Sequence, residues 1–400
     1  MHCNRVPNVN PIILKWARET AGLDLDSAAR KIGLGAARGV AAADRLAAIE
    51  AGEGELPAAL LKRMVQQYRR PLLTFYLPAP PAVADIGQDF RTLPDQSDPS
   101  NVLLATLLRD VTARQSLARD ALEEEEDVVP VPFVGSERAT RDPVRLSAAI
   151  VEAIGFSRAE FRACRTAEEA FTYLRGLVEA RGVFVLLAGD CGHHATAIDV
   201  KVFRGFAVAD PIAPFIVVND QDAKSAWSFT LLHELSHLLL GAGGVSGGRP
   251  SAGVERLCND TAAATLISPA EIDDLPASGD AVEVEGINAL ADRINVSRTM
   301  IAYQLFAAGR VSEMRWIRLR DQFRAEWLAA KDKNRERSRG RPGPSWYVVR
   351  QHRLGSALLS LARRGIADGS LTPSRAARML GVKPMNVYPL LAEPRRMNAG

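Results

Sequence analysis

Residues 229–241 constrain this chain more than any other stretch. They carry His233-Glu234-Leu235-Ser236-His237 inside an apolar run whose spacing predicts a helix, with Gly241 as its stop. On a helix, His233 and His237 stand one turn apart on one face, so their imidazoles can converge on a single metal ion. Glu234 is turned about 100° around the axis from His233, which sets a carboxylate beside that ion as a general base toward water. For the pentapeptide alone, a buried helix with two hydrogen-bonded histidines is the competing reading.

A hydrolytic metal site takes three protein ligands and keeps a position for water. After His237 no histidine occurs before His352, so the third ligand is sought among downstream carboxylates. Glu255 is the best placed. It opens a helical stretch rich in small residues (Ala262, Ala263, Ala264) suited to close packing, and the glycine-rich segment 241–253 can make the turn between the helices. Glu255 and Asn259 share a face at i,i+4. The alternative for Glu255 is a surface glutamate favoured by the dipole of a helix start. His193 and His194 fall in a predicted turn, where adjacent side chains point apart, and read as a loop feature.

Around this helix the pattern is α+β and mostly helical. Two or three amphipathic helices are expected over 144–180, buried strands over 182–189, 203–210 and 214–219, then the histidine-bearing helix. With 400 residues, 47% of them hydrophobic, the chain can bury several cores. The net charge of +3 sets up no strong field toward nucleic acid. Cys3, Cys164, Cys191 and Cys258 form no CxxC pair, which argues against a disulfide framework or a cysteine zinc site. No apolar run marks a signal peptide or a membrane span, so a cytoplasmic protein without membrane attachment is expected.

Residues 10–77 read as four short helices punctuated by glycine, and resemble the XRE-type helix-turn-helix domain. The turn is lengthened by Gly35 to Gly39, and the third helix offers Arg45 as its only long basic side chain. Base edges are read by Arg, Lys, Asn or Gln, so DNA binding and protein docking both remain open for this unit. Downstream, a proline-rich linker begins at Pro78. A helix over 102–122 ends in the acidic run Glu123 to Asp127, expected to be solvated and frayed because carboxylates oppose the dipole there. Ser297 reads as the N-cap in a second helix-turn-helix-like pair, the basic run 331–341 as a linker, and Thr372-Pro373 with Gly381 as the ends of a helix in a small C-terminal unit.

His233 to His237, together with Glu255-Arg256-Leu257-Cys258-Asn259-Asp260-Thr261-Ala262-Ala263, resemble the ImmA/IrrE family of metallo-endopeptidases. Phe203 to Phe206, Asp210 to Ile216 and Arg70 to Pro78 fit as well, and the similarity covers roughly 10–310. The resemblance implies a zincin-like core with His233, His237 and Glu255 as zinc ligands and Glu234 as catalytic base. Two nitrogens and one carboxylate also suit manganese or iron. It further implies a protein substrate, an XRE-type repressor whose cleavage relieves repression in a stress response or mobile-element control. Ser268 departs from the family, which has a larger apolar residue before Pro269. The expected division is 1–78 helix-turn-helix domain, 79–143 connector, 144–280 protease core, 281–330 helical subdomain, 331–344 basic linker and 345–400 C-terminal helical domain, the first and last able to contact DNA. A rival reading is a DNA-binding regulator or antitoxin-like protein with a structural or vestigial metal site. Glu234 speaks against it, because a structural site closes with four ligands and has no use for that carboxylate.

Overall fold

A computed structural model of the chain describes residues 9–68, 70, 72–80, 99–125, 128–241, 244–246, 252–275, 283–338, 340 and 343–392. The protein is mostly helical with one small sheet. It divides into two compact units, Met1–Leu108 and Arg109–Gly400. Residues 81–98 of the expected connector lie outside the described residues.

In the first unit, α1 (Pro11–Glu19), α2 (Leu25–Lys31), α3 (Ala42–Glu50) and α4 (Ala58–Gln67) surround a core that includes Ile13, Leu46, Leu61 and Met64. Asn10 caps α1 by accepting from the Ile12 amide at 3.1 Å. A buried ion pair joins α1 to α3: Arg18 donates from Nε and Nη2 to the Glu50 carboxylate at 2.7 and 2.9 Å. Such a bidentate pair fixes the angle between two helices as well as attracting. Outside this core α3 carries Ala43, Asp44, Ala47 and Ala48, and Arg45 is spent on the Gly35 carbonyl.

α5 (Pro99–Glu123) begins in the first unit and ends in the second. α6 (Pro143–Ile154), α7 (Arg158–Ala163) and α8 (Ala167–Glu179) follow, then β1 (Phe184–Leu187), β2 (Gly205–Val208), β3 (Phe215–Val218) and α9 (Lys224–Leu239). A fourth strand, β4 (Gly244–Ser246), precedes α10 (Ala252–Leu266). The sheet order is β1-β3-β2-β4, with β1 parallel to β3 and the other pairs antiparallel. β4 falls in the glycine-rich stretch expected to be only a turn. Glycine lowers strand propensity, but backbone pairing needs no side chain, and β4 opposes Gly205 to Ala207 of β2.

α9 lies against β2 and β3 on one side and α8 and α10 on others, and every residue from Ala226 to Leu239 except Phe229 is buried. Its apolar residues, among them Trp227, Leu231, Leu232, Leu235, Leu238 and Leu239, face several sides of the helix and seat it inside the core. Its last carbonyls are satisfied from an earlier loop: Gly135 N–H donates to Leu238 O at 2.8 Å and Glu137 N–H to Leu239 O at 2.9 Å.

The rest of the chain is α11 (Pro269–Asp273), α12 (Val284–Ile294), α13 (Arg298–Ala307), α14 (Glu313–Arg337), α15 (Trp346–Leu354), α16 (Ser356–Ala367), α17 (Pro373–Leu380) and α18 (Val387–Leu391). Residues 331–337 of the expected basic linker continue α14. Lys, Arg and Glu are good helix formers, and no Gly or Pro occurs before Gly340 to stop them. The acidic run ends α5 at Glu123 and is exposed over Glu123 to Glu125, as a solvated helix end should be. Glu124 accepts from Arg375 at 3.0 Å and Glu125 from Arg364 at 3.1 Å, so cations of α16 and α17 offset the unfavourable dipole. Glu126 and Asp127 lie outside the described residues.

α15 and α16 cover the outer edge of β1, and a single buried ion pair seats them. Arg175, on α8, donates to the carbonyls of Val185, His352 and Arg353, so it joins β1 to the last turn of α15. Glu179 accepts from Arg175 Nε at 3.2 Å and from the Ser356 N–H and hydroxyl at the start of α16. Gly355 sits between them at φ +80°, where a Cβ would collide with both side chains and with Val185 O. Arg353 adds ion pairs to Asp190 and Asp220 at 2.9 and 2.6 Å. No helix among the described residues is long and apolar enough to cross a membrane.

Candidate active site

The antiparallel approach of α9 and α10 brings three donors together. His233 Nε2 and His237 Nε2 stand 3.2 Å apart. Glu255 Oε2 is 3.4 Å from His233 Nε2, and Glu255 Oε1 is 3.2 Å from His237 Nε2. Among the described residues these form the one group of three or more His, Cys, Asp or Glu that could hold a metal ion. Donors held about 2.0–2.1 Å from a tetrahedral zinc ion lie about 3.3 Å from one another. The three separations match that edge length, and two imidazoles with one carboxylate are a donor set suited to zinc. Both histidines are buried, while the Glu255 side chain is 21% exposed, so the group is reached from the Glu255 side.

The electrostatics agree with groups built to surround a cation. Burial pushes the His237 imidazole down, but bonds to Cys258 and Glu255 outweigh it and hold its pKa well above the usual histidine range. Burial pushes Glu255 up, and the two histidines beside it outweigh that and hold its carboxyl below the usual carboxylate range.

Glu234 is fully buried and stands outside the three-donor group, yet its charge acts on His237. Its carboxylate has room because position 205 lacks a side chain. A Cβ on Gly205 would come within 2.7 Å of both Glu234 Oε1 and Thr230 Cγ2. A strand that must pass this close to a helix side chain has to carry glycine there.

The sequence reading did not single out Gly205 or Cys258. The signal for Gly205 was Gly within a strand pattern, which marks a close approach. Cys258 follows Glu255 by three residues, a spacing that also shares a helix face, and it is wholly buried. Asn259, which shares a face with Glu255 in the sequence reading, is half-buried. His193 stays in a loop, where its Nδ1 accepts from the Ala195 amide at 3.1 Å.

No curated protein and no solved structure matches the chain. Residues 190–306, which contain β2, β3, both site helices and all four site residues, match the Peptidase_M78 family model, described as an IrrE N-terminal-like domain, and this supports a metallopeptidase-type function.

Proposed function

We propose that the chain is a zinc-dependent endopeptidase in which His233, His237 and Glu255 hold the metal, Glu234 is the catalytic base, and the substrate is a helix-turn-helix repressor. The observation that carries the chemistry is the buried Glu234 carboxylate, kept free of steric crowding by Gly205, next to three donors at tetrahedral spacing. Zinc bound there supplies Lewis acidity toward a carbonyl and lowers the pKa of water to about 7; manganese or iron would suit the same donors. Glu234 accepts a proton from the attacking water on its carboxylate and passes it to the leaving amine. Burial of the site keeps that proton from bulk solvent.

The repressor as substrate rests on the family resemblance, and with it a cytoplasmic setting. The first unit serves as a docking module in this reading. The outer positions of α3 are alanines and an aspartate, and Arg45 is engaged by Gly35, which leaves little with which to read bases. The second reading, a DNA-binding regulator with a closed structural site, has a buried cysteine, Cys258, on α10 one turn after Glu255, but that thiol lies outside the three-donor group. The test is incubation of the zinc-loaded full chain with helix-turn-helix repressors, beginning with any encoded beside its gene. Chelator should stop the cut. Glu234→Gln should retain zinc and lose cleavage, and normal cutting by that variant refutes the assignment.

A further inference from the structure

The C-terminal helices leave a group of apolar side chains in solvent. α17 turns at Gly381, φ +62°, and passes through a single 3-10 turn, Pro384–Asn386, into α18. The inner side of the pair buries Ala377, Leu380, Val387 and Leu390. Met385 and Tyr388, three residues apart, share the outer side and are 77% and 61% exposed. α15 lies alongside. Its Tyr347 hydroxyl donates to Asn386 Oδ1 at 3.3 Å, and its Gln351 Nε2 donates to Leu390 O at 2.7 Å. Trp346, 50% exposed, meets the Tyr347 ring edge-on with centroids 5.1 Å apart. Single exposed apolar residues are ordinary, but apolar side chains that continue from one helix to its neighbour mark a contact surface.

The charge beside these residues has one sign. From Gly369 to Ala392 the chain carries Arg375, Arg378 and Lys383 and neither Asp nor Glu. Arg375 is taken up by Glu124, and Arg364 of α16 by Glu125, so the unit already receives one acidic helix end, that of α5. Arg378 and Lys383 are exposed, and Lys383 precedes Met385 by two residues. We infer that Met385, Tyr388 and Trp346, rimmed by Arg378 and Lys383, form a docking surface for an acidic amphipathic helix of another protein. The partner's apolar face would cover the thioether and the two aromatic rings, and its carboxylates would meet the two cations. Aromatic residues supply most of the energy at such contacts, and a Met adapts to the shape laid on it. The cations select the partner more than they tighten it. Duplex DNA fits less well. Its affinity grows with the number of phosphates neutralised, and two exposed cations neutralise few. Asn386, the side chain of this turn able to read an adenine, is spent on Tyr347. The inference is independent of the metal-site reading.

The test uses the full chain and three fluorescent helical peptides of about twenty residues. One has Leu on one face and Glu on the other, the second has Lys in place of Glu, and the third has Ala in place of Leu. The Leu–Glu peptide should bind with micromolar Kd and the other two at least about tenfold more weakly. Met385→Ser combined with Tyr388→Ser, both at exposed positions, should weaken it about 10- to 100-fold. Should that pair lose helix by circular dichroism, Tyr388→Gln alone reads the same contact. Arg378→Glu with Lys383→Glu should transfer the preference to the Leu–Lys peptide, which a merely adhesive patch would not do. Absence of binding by the Leu–Glu peptide, equal binding of its Lys form, or unchanged binding by the serine pair each overturns the inference. So does a labelled DNA duplex that binds more tightly than the peptide through Arg378 and Lys383. Self-association that the serine pair abolishes would assign the face to a second copy of this chain and overturn it as well.

Discussion

Replacing Glu179 by alanine should release the C-terminal helices from the sheet while leaving α9 and α10 in place. The Arg175 and Glu179 side chains are 8% and 4% exposed, so solvent does little to screen them. Without Glu179 the Arg175 guanidinium stays buried with only carbonyl partners, and burial already lowers its pKa. Losing one member of a buried pair costs about 3–5 kcal/mol. That range absorbs the acceptor lost by Ser356, since such terms do not add. The chain has two units and is not expected to unfold in one step, so hydrogen exchange is the better assay. Opening of α15 and α16 should become about a hundred to a few thousand times more frequent, as 1.4 kcal/mol is tenfold. Amides of α9 and α10 should change little. A cycle of Arg175→Met, Glu179→Leu and the double variant should give a coupling of about 2–3 kcal/mol. Additive single effects, or protection lost equally across α9 and α15, would refute the reasoning.

Gly205→Ala pushes a methyl against Glu234 and should lower kcat about 10- to 100-fold with cobalt affinity nearly unchanged; a parallel loss of metal would place the effect on the fold instead. Because His237 is held protonated beside an ionised Glu255, a cation entering the site has to displace a proton. Affinity for zinc should therefore rise about tenfold per pH unit through neutrality, which calorimetry in buffers of different ionisation enthalpy detects as one proton released; a flat profile contradicts this pair. Chelation should end cleavage while far-ultraviolet circular dichroism stays within a few per cent of the loaded protein, since the core around α9 is extensive; unfolding on chelation would make the site a structural one.

What the sequence disclosed depended on range. His233, Glu234 and His237 are legible because a helix turns their spacing directly into geometry. Asn10, Ser297, Thr372 and Gly381 are legible as helix ends because capping is settled within four residues. Glu255 was reachable only by asking which side chain could complete the set. The partners of Glu124 and Glu125 were out of reach, because Arg375 and Arg364 lie more than two hundred residues away in sequence. β4 was hidden by its glycines, and Gly205 by the fact that its role is to be small. The helical form of residues 331–337 was not foreseen, because their charges resemble those of solvated segments although Lys, Arg and Glu also favour a helix.

A metal ion held by His233 and Glu255, as proposed, would fasten together two points of the chain roughly twenty residues apart, as a disulfide does. In a free loop of that length such a cross-link is worth about 3 kcal/mol of lost chain entropy. Here the loop is already tied midway, where Gly244–Ser246 hydrogen-bond to β2. Much of the freedom the ion would remove is gone before it arrives. The strand that looked like slack between two helices thus divides the labour: backbone pairing closes the hairpin, and an ion in the proposed site would be left for chemistry.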